Sequence, residues 1–327
     1  MPADLSIQAE STELADTPFQ SFWMGGFECA DHLNAWGSRV DFLNLTDHLS
    51  QLNEDYIRLK FVNISTVREG IRWSQVEVAP YQYDFTIVGH MLDAGRRHGI
   101  QQIWDICHFG FPADLTPLHP HFTSRFVSLC TAFATYCLPR YTKEPLIVTP
   151  FNEVSFLSWL GGEVGGTSPY AVRNGWEVKY AIMRAYIAGV AAMKILDANI
   201  LILTTEPLVN VVPPLFATEG DILNASSTHE LQFQAMDMLC GKICSELGGK
   251  PEYMDILGYN YYFNNQWVTG FKENIPWKNE YADPRWRSLS SLMQEAYHRY
   301  GKPVALTETS HPGEERADWM ELEVVTM

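Results

Sequence analysis

The stretch Leu146-Ile147-Val148-Thr149-Pro150-Phe151-Asn152-Glu153 is a short apolar run that ends on a carboxylate. Near the other end of the chain, Pro303-Val304-Ala305-Leu306-Thr307-Glu308-Thr309 repeats the pattern. Apolar runs this short read as buried parallel strands. Each delivers a glutamate at its C-terminal tip, and in a (β/α)8 barrel that is the face where catalytic residues collect. Two carboxyl groups converging there suit glycoside hydrolysis, in which one donates a proton and the other attacks or activates water.

Working outward, five further runs read as strands: 22–29, 65–73, 101–108, 200–206 and 256–262. Between them apolar residues recur at helical spacing, as in Phe126, Leu129, Cys130 and Phe133, or from Ala181 through Leu196. Strand and helix in alternation predict a parallel α/β fold. A doubly wound nucleotide binder usually has a glycine-rich first turn, but Ala30-Asp31-His32-Leu33-Asn34 follows the first run. The fold class expected is therefore a (β/α)8 TIM barrel. Seven strands can be read. Residues 321–326 suit a helix, and an eighth strand is not visible, so the barrel is expected to be open with exposed strand edges. Residues 1–18 read as a polar arm and 19–327 as one barrel domain. Gly161-Gly162-Glu163-Val164-Gly165-Gly166 reads as a flexible loop over the barrel mouth, and residues 264–287 as a long loop after the sixth strand.

The 327 residues carry 23 basic and 39 acidic side chains, a net charge of −16, which disfavours nucleic acid and anionic membrane surfaces as partners. Neutral ligands such as sugars remain open. The N-terminus has neither a basic nor an apolar region of a signal peptide, and no run approaches the ~20 apolar residues of a membrane span. Cys29, Cys107, Cys130, Cys137, Cys240 and Cys244 form no Cys-x-x-Cys pair, which fits reduced thiols in a cytoplasmic protein. No His-Glu-x-x-His pattern is present, and neither a metal nor an organic cofactor is expected.

Around the two glutamates, Asn152 can both donate to and accept from a sugar hydroxyl. Phe151, Phe156 and Trp159 could wall Glu153 and raise its pKa, as a proton donor requires. A nucleophilic Glu308 needs a cation, and Arg68 or Arg72 could supply it, unless either is tied up with Glu69 or Asp105. His108 closes the third strand and could bond a sugar hydroxyl or serve a structural role. In Gly258-Tyr259-Asn260-Tyr261-Tyr262 a tyrosine hydroxyl could orient the nucleophile, or the rings could pack in the wall.

Taken in order, these motifs resemble glycoside hydrolase family 1, the β-glucosidase and 6-phospho-β-glucosidase group. Asn152-Glu153 matches that family's acid/base after strand four, and Thr307-Glu308 its nucleophile after strand seven. Arg68 through Trp73 is similar to its Arg-x-x-x-x-Trp, His108 to its strand-three histidine, and Asn260-Tyr261-Tyr262 to its Asn-Tyr-Tyr. Glu28 stands near a sugar-binding position. The resemblance spans residues 20–315. It implies a retaining β-glycosidase with Glu153 and Glu308 catalytic and with Asn152, His108, Arg68, Tyr261, Asn260 and Glu28 binding substrate, a small-molecule or oligosaccharide glycoside. Val154 departs from the family's Asn-Glu-Pro, and Thr309-Ser310 from its Glu-Asn-Gly. A sugar-binding barrel without turnover is the alternative.

Overall fold

The computed structural model describes residues 17–271, 273–278 and 283–326. Residues 1–16, most of the expected arm, lie outside the described residues. Seven parallel strands follow in chain order: β1 (Met24–Gly26), β2 (Thr66–Gly70), β3 (Gln101–Cys107), β4 (Ile147–Phe151), β5 (Leu201–Ile202, continued at Glu206–Pro207), β6 (Leu257–Asn260) and β7 (Val304–Glu308). Each pairs with the next, and a bridge between Leu203 and Ile256 joins β5 to β6. Helices return the chain between them: α1 (His48–Phe61), α2 (Thr86–His98), α3 (Phe122–Cys137), α4 (Gly175–Leu196), α5 (Glu219–Glu230) and α6 (Leu289–Tyr300), with α7 (Arg316–Thr326) after β7. The expected α/β alternation is therefore present.

The sheet is rolled rather than flat. Met24 on β1 and Ala305 on β7 pack on the same small cluster of Ile103, Ile147, Leu203 and Ile256, with Phe19 beside them. Six strand spacings of about 4.8 Å would part β1 and β7 by ~29 Å in a flat sheet, so both can touch one cluster only if the sheet curls round it. Among the described residues no backbone pairing joins β1 to β7, and no eighth strand joins this sheet.

Side-chain alternation explains what lies on each surface. Trp104, Ile106 and Val148 turn outward into the main core beneath the helices, and Phe151 joins them where the alternation breaks after Pro150 at the strand's end. Phe151 stacks on Phe126 of α3 with ring centroids 4.1 Å apart. Truncating either ring would cost about 3–5 kcal/mol through lost burial and the cavity left behind. Inward positions change character along the strands: Ile103 gives way to Asp105 and Ile147 to Thr149, so the interior is apolar below and polar at the strand tips.

The glycine-rich segment differs from expectation. Trp159–Glu163 forms a wide helical turn in which Gly161 and Gly162 are buried. A Cβ on Gly162 would sit 2.9 Å from the Cα of Gly175, at the start of α4. Glycine here permits close packing of backbone on helix, not flexibility. The long segment after β6 contains a short strand, Gln266–Val268, paired with Asn210–Val212. Among the described residues, no helix is long and apolar enough to cross a membrane.

Candidate active site

Glu153 follows β4 immediately and caps the short helix Val154–Ser158 with φ 45° and ψ 63°. That left-handed conformation is disfavoured for a residue with a Cβ. It is fixed from both sides: the Glu153 amide donates to the Thr205 carbonyl at 2.8 Å, and its own carbonyl accepts from Leu157 at 2.9 Å. The result turns the side chain inward, 9% exposed. Burial pushes its pKa from 4.5 up to about 8, and the nearby Glu308 and Glu206 carboxylates add to the effect. The Asn260 amide, donating to Oε1 at 2.9 Å, opposes it.

Glu308 ends β7. Its Oε1 accepts from Nη1 of Arg68, and its Oε2 accepts from the Tyr262 hydroxyl at 2.7 Å. The two glutamates thus sit in contrasting surroundings, one desolvated and held protonated, the other fixed by a cation and a hydroxyl.

Arg68 organises the strand tips. Nε and Nη2 fork onto the two Asp105 oxygens at 2.9 and 2.7 Å, while Nη2 also donates to Asn152 Oδ1 at 2.7 Å. Burial opposes the guanidinium charge, but Asp105 and Glu308 outweigh it and push its pKa up. Asp105 is held below its usual range, because the Arg68 charge and the His108 hydrogen bond overcome its burial. Arg68 only donates, so it fixes the Asn152 amide with Nδ2 towards His108 Nε2, 3.0 Å away. In that arrangement Nε2 accepts and Nδ1 donates to Asp105 at 2.8 Å. Asn260 donates to Asn152 at 3.2 Å and accepts from Thr307 at 2.7 Å. Residues on β2, β3, β6 and β7 and just after β4 form one polar network.

Most expected site residues therefore meet: Glu153, Glu308, Asn152, His108, Arg68 and Asn260. Arg72 does not, because it lies beyond β2 in a left-handed conformation and pairs with Asp41 at 2.7 Å. Tyr261 is corrected. It is fully buried in the wall against Trp319, and its hydroxyl accepts from Gln266 at 2.7 Å. Its neighbour Tyr262 reaches Glu308. Glu28 stands at the rim, its side chain 42% exposed, with Oε1 accepting from the Ala30 amide at 2.8 Å and lying 3.4 Å from His108. Of the expected apolar wall, Phe151 faces the helices, whereas Phe156 and Trp159 lie together on the mouth side, near Phe109.

Two groups escaped the sequence reading. Cys29 lies 3.2 Å from His108 Nδ1, and with Asp105 these three have ligand atoms within 4.8 Å of one another, the spacing of a metal site. Their donors are committed elsewhere: Asp105 is neutralised by Arg68, and burial pushes the Cys29 thiol up to about 12, which keeps it protonated. Glu206, on β5, is a third strand-tip carboxylate and is buried. Its signal was the same as that of Glu153 and Glu308, an acidic residue closing an apolar run.

No family model matches the chain, and no curated protein matches it. Solved structures do. A β-glucosidase from Thermotoga maritima in complex with glucoimidazole is similar at TM-score 0.69 and 14% identity, over 86% of this chain and 73% of that one. A mutant of the rice β-glucosidase Os3BGlu6, in a covalent complex with glucose, is similar at TM-score 0.70 and 16% identity, over 94% and 86%. Virulence factor SghA from Agrobacterium tumefaciens is similar at TM-score 0.66 and 18% identity, over 86% and 73%. The chain has the fold of the family 1 β-glucosidases.

Proposed function

We propose that this chain is a retaining glycoside hydrolase acting on β-linked glycosides, built on a (β/α)8-type barrel. Its reaction needs no metal or organic cofactor. The observation that carries the reading is the contrast between two carboxyl groups at the tips of β4 and β7. Glu153 is pushed up to about 8 by burial, with the Glu308 charge adding to it, while Glu308 is held by Arg68 and Tyr262. A desolvated carboxyl group beside one gripped by a cation and a hydroxyl suits the roles of acid and nucleophile.

In the first step a Glu308 oxygen attacks the anomeric carbon. The glycosidic C–O bond breaks, and the departing oxygen takes the Glu153 proton. In the second step the Glu153 carboxylate takes a proton from water, whose oxygen attacks the same carbon and releases Glu308. Two inversions give retention. Asn152 and His108, at the strand tips beside the two glutamates, would bond sugar hydroxyls, and Glu28 would offer an acceptor at the rim. Among the described residues, the arginine or lysine that reaches the glutamates is Arg68, fully engaged by Asp105, Glu308 and Asn152, which favours unphosphorylated sugars. The natural setting we infer is the cytoplasm.

The test is hydrolysis of a panel of aryl β-glycosides by the parent and by Glu308→Ala. Cleavage with retained anomeric configuration, lost by several orders of magnitude in the variant, supports the reading. Sugar binding by a folded parent without cleavage overturns it in favour of a non-catalytic binder.

A further inference from the structure

Behind Glu153, away from the mouth, lies a second buried cluster that the reaction above does not use. Glu206 is 3% exposed and its Oε2 accepts from the Ser155 amide at 3.1 Å. Ser155 belongs to the first turn of the helix that Glu153 caps, so Glu206 supplies an acceptor to the amides that a helix start leaves unpaired. A carboxylate is favoured there by the helix dipole as well, although a five-residue helix has only a small one. Beside it a cavity of about 10 Å³ is lined by Tyr186, Thr204, Thr205, Glu206, Ala235, Met236 and Leu239. Tyr186, whose buried hydroxyl has no partner among the described residues, is one of the residues lining it. A single water needs roughly 10–15 Å³ and two or more polar partners. Tyr186 and Glu206 provide such partners.

We propose that Glu206 is a positioning residue for Glu153: its carboxylate pins the turn that follows Glu153, holds that residue in its left-handed conformation, and places a negative charge behind the proton donor. The inference rests on the reading of Glu153 as that donor. Charge as well as geometry is involved: burial pushes the Glu206 pKa up, and the hydrogen bonds from the helix start and the Lys179 charge oppose that push. The titratable groups facing Glu153 are Glu308 from β7, Glu206 from β5, His108 from the tip of β3 and Tyr262 just beyond β6. Those facing Glu206 are Lys179 and Tyr186 from α4 and Tyr259 from β6. Lys179, largely buried, donates to Gln234 at 2.9 Å, so its charge is held near Glu206 without neutralising the mouth.

Glu206→Gln keeps an oxygen that can accept from Ser155 and removes the charge. Glu206→Ala removes both. The first readout needs no catalysis: titration of the Glu153 carboxyl by NMR in the whole chain labelled with 13C-glutamate. Glu206→Gln should titrate at lower pH than the parent. The second readout is hydrolysis of aryl β-glycosides that differ in leaving-group acidity. In Glu206→Ala the rate should fall by ~10–100-fold for poor leaving groups, which need the Glu153 proton, and little for strongly acidic ones, which do not. An unchanged Glu153 titration in Glu206→Gln, or an equal loss for every leaving group in Glu206→Ala, overturns the proposal. If the parent cleaves nothing, the proposed function fails, while the NMR titration still decides whether Glu206 controls Glu153.

Discussion

The guanidinium of Arg68 on β2 grips the carboxylate of Glu308 on β7, five strands further along the sheet. The same guanidinium forks onto Asp105. One cation thus serves two carboxylates, and removing it leaves the buried Asp105 charge with its His108 hydrogen bond but without its arginine. Arg68→Ala should lower stability by about 3–5 kcal/mol, the usual cost of breaking a buried pair from one side. Urea denaturation followed by circular dichroism measures it. A loss below about 1 kcal/mol would mean that the interior at the strand tips is wet enough to solvate Asp105.

The adjacent tyrosines allow a sharper comparison. Tyr262→Phe removes the hydroxyl on Glu308, and kcat should fall about 10- to 100-fold with the fold intact. Tyr261→Phe removes a buried wall hydroxyl that accepts from Gln266, and it should leave kcat within about threefold, with a stability cost of about 1 kcal/mol. Equal effects on kcat would contradict the assignment of Tyr262 as the ligand of Glu308.

Glu153 makes stability depend on pH. Folding holds its proton up to about 8, against an ordinary value of 4.5. Its contribution is therefore fully present below about 4.5 and is lost as the pH rises towards 8. At about 1.4 kcal/mol per pH unit between those values, the ceiling is roughly 5 kcal/mol. Glu153→Gln cannot ionise, so it should gain on the parent progressively from about pH 5 to about pH 8. Parallel thermal melts across that range would expose a constant offset, which would mean that Glu153 is ionised in the fold at all these values.

The same proton sets the alkaline side of the rate profile. Activity on glycosides with poor leaving groups should fall as pH rises through about 8, and the limb should vanish in Glu153→Gln, together with most of the rate. A limb centred near about pH 5 would place Glu153 in an ordinary, solvated setting.

Much of this was legible in the chain. Six of the seven strands lie within their expected runs and β5 overruns its own by one residue, Pro207, because apolar runs closed by polar residues reflect strands covered on both faces. Glu153 and Glu308 were legible for the same reason: a carboxylate closing such a run has nowhere to point but the mouth. The tyrosines were not. The β6–β7 register shifts between Tyr259 and Asn260, which breaks the two-residue alternation just where it would choose between Tyr261 and Tyr262. The burial of Gly161 and Gly162 against α4 was hidden as well, since glycine permits both a mobile loop and a close approach. Cys29 reaches His108 only through the loop after β1, a contact that neither spacing nor periodicity encodes.

The polar network at the strand tips joins Arg68, Asp105, His108, Asn152, Asn260 and Thr307 through shared atoms: Asn152 Oδ1 serves two donors and Arg68 Nη2 two acceptors. Such a unit breaks as a whole. A first substitution within it should cost most of what the network provides, and a second should add little. Sequence drift through this region would then proceed by rare paired exchanges rather than by independent steps, so the tips of these strands should change together or not at all.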